Sequence, residues 1–139
     1  MFDQLNLIVE DMDATLAFYR ALGLGIEDDG RDWPPGSGAR HVDIKLPNGT
    51  RLEFDNTPMV NMWRGNSSSS AVVIGFSVKS REAVDTLYTK LIVAGHKGVK
   101  PPHDAFWGAR YAIVTDPSGN DVGLMSPIDP SKKSSMPTE

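Results

Sequence analysis

The sequence contains no cysteine, and this absence excludes disulfide bonds, thiolate metal sites and cysteine nucleophiles. It also lacks a basic surplus, since 14 lysines and arginines stand against 18 aspartates and glutamates for a net charge of −4. A nucleic-acid partner is therefore not expected. Its apolar runs, such as residues 71–74, are far shorter than the roughly 20 residues of a membrane-spanning helix. No secretory signal is visible at the N-terminus, so we expect a cytoplasmic protein without a membrane partner.

The 139 residues, of which 40% are hydrophobic, suffice for one domain with a core of its own. An internal repeat runs through them. The alternating segment 5–9 is followed by a helical pattern, and the same combination begins again at 74–78. A Pro-Asn-Gly turn at 47–49 likewise has its counterpart in Pro-Ser-Gly at 117–119, about 70 residues further on. The repeat predicts one structural unit used twice.

Each unit is predicted to be βαβββ. An alternating strand comes first, and a helix follows that Asp11 or Ser80 can cap. The remaining strands are predicted at 24–29, 39–46 and 50–56 in the first unit, and at 95–100, 108–115 and 120–126 in the second. The sequence thus predicts an α+β fold in which two tandem βαβββ modules form a curved mixed sheet around a cleft. Module one spans 1–56, a flexible linker 57–70, module two 71–126 and a disordered tail 127–139.

The parity of the strands predicts which side chains line that cleft. Apolar alternation assigns Leu5, Leu7 and Val9 to the side of the helix, so their neighbours point to the opposite face, which we call the free face. Module one contributes a polar, acidic set to the free face: Gln4, Asn6, Ile8, His41, Asp43, Lys45, Arg51, Glu53 and Asp55. Module two contributes a set with small and apolar members: Val73, Gly75, Ser77, Asp121, Gly123 and Met125.

Two segments carry a resemblance to a known family. Residues 5–19, and Phe106-Trp107-Gly108-Ala109-Arg110-Tyr111 followed by Asp-Pro-Ser-Gly-Asn at 116–120, resemble the vicinal oxygen chelate superfamily. That group includes glyoxalase I, extradiol dioxygenases, fosfomycin-resistance thiol transferases and bleomycin-resistance proteins. The resemblance covers residues 1–126 and implies the fold, but not one activity, because this scaffold hosts many chemistries.

The resemblance also implies four metal-ligand positions, and two of them lack a donor here. The positions are held by Gln4, Glu53, Val73 and Gly123. Valine and glycine cannot ligate a metal through a side chain, so we expect neither a bound cofactor nor catalytic residues. The alternative is one divalent metal ion on a divergent ligand set of Gln4, Glu53 and His41. The neighbouring His41, Asp43 and Glu53 are also explained as a hydrated polar surface.

Three tryptophans fall in loops and not on the periodic faces. Trp33, Trp63 and Trp107 can rim the cleft and hold a flat or cationic ligand, or else cover a dimer seam or pack a loop. The predicted ligand-binding residues are Gln4, Asn6, Trp33, His41, Asp43, Glu53, Trp63, Trp107 and Tyr111.

The sequence therefore favours a small-molecule binding protein of the bleomycin-resistance type. Its partner would be a planar or cationic organic ligand, sequestered in an acidic cleft with an aromatic rim. A metal-dependent glyoxalase-like lyase or dioxygenase is the alternative, and a metabolite sensor is a third interpretation. Because the family commonly uses two chains, we expect a homodimer whose clefts each take one module from each chain. The apolar Met59, Met62 and Trp63 are expected near its seam.

Overall fold

The computed structural model describes residues 2–22, 24–65, 72–115, 117 and 119–135. The strands are β1 (Phe2–Val9), β2 (His41–Lys45), β3 (Arg51–Asn56), β4 (Val72–Ser77), β5 (Lys97–Asp104), β6 (Arg110–Thr115) and β7 (Asp121–Met125). The helices are α1 (Met12–Leu22), α2 (Thr57–Trp63) and α3 (Arg81–Val93), with a short 3-10 turn at Pro130–Lys132. None of the helices within these ranges is long and apolar enough to cross a membrane.

The strands form one mixed sheet in the order β2-β3-β1-β4-β7-β6-β5. In the first half β1 runs parallel to β3, and in the second half β4 runs parallel to β7. The antiparallel pair of β1 and β4 joins the two halves. Each half thus repeats the same strand pairing about this central pair. The structure confirms the predicted α+β class, because it consists of one mixed sheet with helices.

One face of the sheet is covered by α1 and α3, as the strand parity predicts. Under α1 lies a core of Met12, Leu16, Ile26, Val42 and Phe54, with Leu7 and Val9 packed against it. Under α3 lies a smaller core of Val84, Ala112 and Leu124, with Phe76 and Val78 at its border. The apolar members of the alternation therefore face the helices, which leaves the polar members on the free face.

The predicted caps hold both long helices at their first turn. Asp11 Oδ1 accepts a hydrogen bond from the Ala14 backbone N–H at 2.9 Å, and Ser80 Oγ accepts one from the Ala83 N–H at 3.1 Å. Each bond satisfies a backbone donor that the helix itself leaves unpaired.

The strand predicted at 24–29 does not form. Its carbonyl groups are occupied by a side chain, since the Arg20 guanidinium donates to Ile26 O at 3.0 Å and to Asp28 O at 2.9 Å. Asp28 then turns the chain by accepting from the Gly30 N–H at 2.8 Å. The side chains of Leu24 and Ile26 still behave as the alternation predicts, because Ile26 is buried in the core under α1 and Leu24 packs against that core. The first module accordingly contributes three strands and the second four.

The predicted flexible linker 57–70 begins with a packed helix. Asn56 caps α2 by accepting from the Met59 N–H at 3.2 Å, and Met59, Val60 and Trp63 are buried. They pack on the free face against Val73 of β4. The apolar residues of this segment are thus part of a core, and residues 66–70 lie outside the described residues.

The predicted disordered tail 127–139 is also partly packed. The Asp129 N–H donates to Gly108 O, and the Ser134 N–H donates to Phe106 O, both at 3.0 Å. A Cβ at position 108 would lie 2.5 Å from Asp129 O, so the tail approaches as closely as it does because this residue is glycine. Residues 136–139 lie outside the described residues.

Candidate functional site

A cleft of about 370 Å³ opens on the free face, with both modules of the same chain in its lining. The lining residues are Gln4, Asn6, Arg31, Trp33, His41, Arg51, Glu53, Asp55, Met59, Trp63, Phe106, Trp107, Tyr111, Met125 and Ile128. Since β1 and β4 of one chain pair directly, one chain encloses this cleft. This differs from the expected cleft that takes one module from each of two chains.

Most of the predicted ligand-binding residues lie together in the cleft. Those in its lining are Gln4, Asn6, Trp33, His41, Glu53, Trp63, Trp107 and Tyr111. Asp43 is the exception, because its carboxylate forms an ion pair with Arg51 and is partly exposed. Met59 and Trp63 are buried inside the chain, which corrects the expectation that they lie at a dimer seam.

The polar half of the cleft is a hydrogen-bonded network on β1, β2 and β3. His41 Nδ1 donates to Asp55 Oδ1 at 2.5 Å, and His41 Nε2 lies 3.5 Å from Glu53 Oε1. Asn6 Nδ2 donates to the second oxygen of Asp55 at 2.8 Å. The register places these residues side by side, with Asn6 opposite Glu53 and His41 opposite Asp55. The imidazole is thus held between two carboxyl groups.

Burial and charge shift the pKa values of this network. Burial opposes the charged imidazolium, but the hydrogen bond and charge of Asp55, together with Glu53 and Asp43, outweigh it and raise the pKa of His41 to about 9. Burial raises the pKa of Glu53 to about 7, against the opposing charges of His41 and Arg51. Near neutral pH the network therefore holds an imidazolium and a carboxyl group poised between its two protonation states.

The other half of the cleft is aromatic. Tyr111 on β6 stands at its centre, with its ring 5.2 Å from that of Trp107 and 6.1 Å from that of Trp63. The Trp107 indole N–H points to Met125 Sδ at 3.3 Å, and Phe106 packs edge-on against Trp107 at 5.0 Å. Trp33 is exposed. Burial raises the pKa of the Tyr111 phenol well above its usual range, so this group stays neutral.

Two of the four positions at which the resemblance implies metal ligands carry no donor side chain in this chain. Val73 offers no donor, and the space beside Gly123 is taken by Tyr111, whose hydroxyl oxygen lies 2.5 Å from where a Cβ would stand. The Gln4 side chain lies over Gly75 on the neighbouring strand β4. A Cβ added at Gly75 would come within 2.2 Å of Gln4 Cγ. Only Gln4 and Glu53 keep oxygen donors, which is fewer than catalytic metal sites use.

His41, Asp43 and Glu53 form the one group of potential metal ligands found in the described part of the chain, with ligand atoms within 4.8 Å. Each of the three already has a partner. Asp55 pairs with His41, Arg51 pairs with Asp43, and Glu53 faces His41. An ion would have to displace Arg51 from Asp43 and a proton from the imidazolium. The alternative of a hydrated polar surface fits the partly exposed His41 and Asp43, but not Glu53, which is buried.

Some residues of the cleft are absent from the predicted binding set. Strand parity places Arg51, Asp55 and Met125 on the free face, and they line the cleft as that parity predicts, although the predicted ligand-binding residues do not include them. Met59 stands four residues before Trp63, which is one helical turn once α2 is recognised. Arg31 and Ile128 lie in irregular segments, where no periodicity marks them.

The comparisons with known proteins agree with this architecture. A family model described as the Glyoxalase/Bleomycin resistance protein/Dioxygenase superfamily matches residues 1–124. The chain belongs to this superfamily. An uncharacterized protein of Mycobacterium bovis is 26% identical over 127 residues, which cover 88% of this chain and 81% of that protein.

Two solved structures illustrate how widely this superfamily fold is used. A structure titled NAD-dependent benzaldehyde dehydrogenase from Legionella pneumophila has a TM-score of 0.63 at 15% identity and covers 88% of this chain and 96% of its own. Methylmalonyl-CoA epimerase from Mycobacterium tuberculosis has a TM-score of 0.59 at 16% identity and covers 92% and 88%. At such identities the likeness shows the fold alone.

Proposed function

We propose that this member of the superfamily binds and sequesters a small organic molecule with a planar apolar body and a cationic group. The observation that carries the proposal is the carboxyl group of Glu53, which is buried beside an aromatic wall while its Oε2 has no hydrogen-bond partner. An unpartnered buried oxygen is costly, and a ligand that supplies a donor or a positive charge removes that cost.

The shape and lining of the cleft support a planar ligand. Its volume of about 370 Å³ lies within the range of ligand-binding cavities in proteins. Trp63, Trp107 and Tyr111 offer large, rigid surfaces whose ring faces attract flat and cationic groups. Because Tyr111 stays neutral, the aromatic half adds no charge of its own.

The electrostatics of the polar half support a cation. His41 and Asp55 neutralise each other as an ion pair, so an ionised Glu53 leaves one uncompensated negative charge. The raised pKa of Glu53 expresses the cost of that charge in a buried position. A cationic ligand group beside Glu53 would compensate the charge, much as Arg51 does for the neighbouring Asp43.

Sequestration, as in bleomycin-resistance proteins, fits the residue types better than catalysis does. The two module-two positions that carry metal ligands in the enzymes of the family hold Val73 and Gly123 here. The role that we propose is that of a cytoplasmic resistance factor, which holds a toxic compound away from its target. Expression of the protein would then raise the concentration of such a compound that a sensitive cell tolerates.

The proposal is tested by titrating the protein with planar cationic compounds while tryptophan fluorescence is recorded. We expect quenching with micromolar or tighter affinity, and a loss of about 1–3 kcal/mol in Glu53→Gln, which is the scale of a hydrogen bond to a charged group. Glu82→Gln on the exposed surface of α3 is the matched control and should bind as the unaltered protein does. Tighter binding of anionic thioesters or phosphonates, or an unchanged affinity in Glu53→Gln, would contradict the proposal and favour the metal-dependent enzyme.

A further inference from the structure

Two oxygen atoms stand out in the polar half of the cleft. Among the residues that the structure describes, Asn6 Oδ1 and Glu53 Oε2 are the buried side-chain polar atoms without a hydrogen-bond partner. Asn6 is 6% exposed and Glu53 is 8% exposed, and both line the cleft. They stand directly opposite each other on the parallel strands β1 and β3. When Glu53 is ionised, both atoms are acceptors only, and buried acceptors are rarely left unpaired, so these two neighbouring ones point to a missing donor.

The orientation of the Asn6 amide is fixed by its neighbour. Asn6 Nδ2 donates to Asp55 Oδ2 at 2.8 Å, and the other oxygen of Asp55 accepts from His41. Turning the amide over would set Asn6 Oδ1 against the carboxylate, with two acceptors facing each other. The Asn6 oxygen is therefore the atom left for a ligand.

Glu53 presents the second acceptor in a matching way. Its Oε1 lies 3.5 Å from His41 Nε2, which leaves Oε2 as the free oxygen. Neighbouring strands are about 4.8 Å apart, so acceptors on opposite residues suit two diverging N–H bonds of one planar group. Both oxygens are covered from bulk water, and the terminal torsions of asparagine and glutamate are broad, so a small rotation turns each towards a ligand.

We propose that the cationic group of the ligand is a planar donor of two N–H bonds, such as an amidinium, a guanidinium or a protonated amino-heterocycle. One N–H bond is donated to Asn6 Oδ1 and the other to Glu53 Oε2. The inference rests on the proposed function and names the chemical class of its ligand. A quaternary ammonium group carries the same charge but has no N–H bond, and it would leave both acceptors unpaired.

The test compares probes that differ in this one property. Benzamidinium, phenyltrimethylammonium and neutral benzamide are titrated by calorimetry into the full chain at one pH and one salt concentration. We expect benzamidinium to bind at least about tenfold more tightly than either of the others, the scale of a charge-assisted hydrogen bond. Asn6→Ala should reduce that preference about tenfold, whereas Asn48→Ala in the exposed turn between β2 and β3 should leave it unchanged.

The outcomes separate the inference from the proposed function. If phenyltrimethylammonium binds as tightly as benzamidinium, the two-donor inference is wrong and the proposal of a cation-binding cleft stands. If benzamide binds as tightly as benzamidinium, the positive charge is not part of recognition and the inference of a cationic donor is wrong. If no cation binds, the proposed function itself fails. Binding of phenyltrimethylammonium to Asn6→Ala also reports whether this variant keeps its cleft.

Discussion

Gly123 leaves room for the Tyr111 side chain, because glycine has no Cβ. A Cβ at this position would lie 2.5 Å from the Tyr111 hydroxyl oxygen and 3.0 Å from its Cζ. Gly123→Ala must therefore push the phenol ring towards the cleft. We predict a loss of stability of about 1–3 kcal/mol, as for other overpacked sites, together with about tenfold weaker ligand binding. Urea unfolding and fluorescence titration measure the two effects.

A second substitution checks that the contact itself is responsible. Adding Tyr111→Phe to Gly123→Ala removes the oxygen that comes within 2.5 Å and should recover part of the lost stability. If Gly123→Ala alone changes neither stability nor binding, the close contact of Tyr111 with Gly123 is not part of the folded protein.

The donor set of the cleft leads to a prediction about metal content. Val73 and Gly123 offer no ligand atoms, and Arg51 competes for Asp43. We predict that protein purified without chelators contains far less than one equivalent of zinc, nickel, manganese or iron per chain, as measured by elemental analysis. Near one equivalent of metal, lost in Glu53→Ala, would overturn this prediction and support the alternative of a metal-dependent enzyme.

At the scale of elements, α2 carries part of the cleft and depends on one residue. The Asn56 side chain accepts from the Met59 N–H and from the Arg40 N–H at 2.9 Å, and it donates to Gly38 O at 2.7 Å. Asn56→Ala removes the helix cap and two further hydrogen bonds from a buried position. We predict a loss of about 2–4 kcal/mol in urea unfolding and weaker ligand binding, because Met59 and Trp63 lose their support.

The matched control for this prediction is the cap of α3. Ser80→Ala removes one cap hydrogen bond from a helix on the other face of the sheet. It should cost about 1 kcal/mol of stability and leave ligand binding unchanged. Equal effects of Asn56→Ala and Ser80→Ala on binding would show that α2 does not support the cleft.

The elements also show how far the sequence could predict this structure. Alternation and helix caps are local signals, so β1, α1, β4 and α3 could be predicted together with the free face. The segment 24–29 also alternates, but the Arg20 side chain donates hydrogen bonds to the carbonyl groups of Ile26 and Asp28, a contact that the alternation of apolar residues does not report. Helix α2 was missed because its apolar residues precede four serines that indicate a linker. The face of the cleft residues on strands could thus be predicted, as could the loop residues Trp33 and Trp107 from their aromatic character, whereas Arg31 and Ile128 in irregular segments could not.

At the scale of the whole molecule, two sheet edges and two exposed aromatic side chains are available for contact with a second chain. The sheet ends at β2 and β5, and Phe2 and Phe18 are 47% and 62% exposed. We expect a C2 homodimer in which each chain keeps its own cleft. Sedimentation velocity at micromolar concentrations should give about twice the chain mass of 15.1 kDa. A particle with the mass of one chain across that range would contradict this expectation.

The charge state of the cleft links the stability of the whole fold to pH. Because the pKa of Glu53 rises from its ordinary 4.5 to about 7 on folding, the folded protein holds a proton that the unfolded chain has lost between these values. Stability from this group is therefore greatest below pH 4.5 and is lost as the pH rises through 7. The pKa of His41 is raised from 6.5 to about 9, so the stability that His41 contributes is also lost as the pH rises, from about 6.5 upwards. Burial lowers the pKa of His103, so the contribution of His103 to stability changes with pH in the opposite direction.

The contribution of Glu53 can be isolated by a difference between two proteins. Glu53→Gln keeps the size of the neutral carboxyl group but cannot ionise, so subtracting its stability from that of the unaltered protein cancels His103 and most of His41. We predict that Glu53→Gln gains relative stability between pH 5 and pH 8, by up to about 3 kcal/mol, the free energy equivalent to this rise in pKa. Urea unfolding at four pH values measures it. A difference that does not vary with pH would mean that Glu53 is exposed to water, and the cleft would then lack the buried acceptor on which its binding of cations depends.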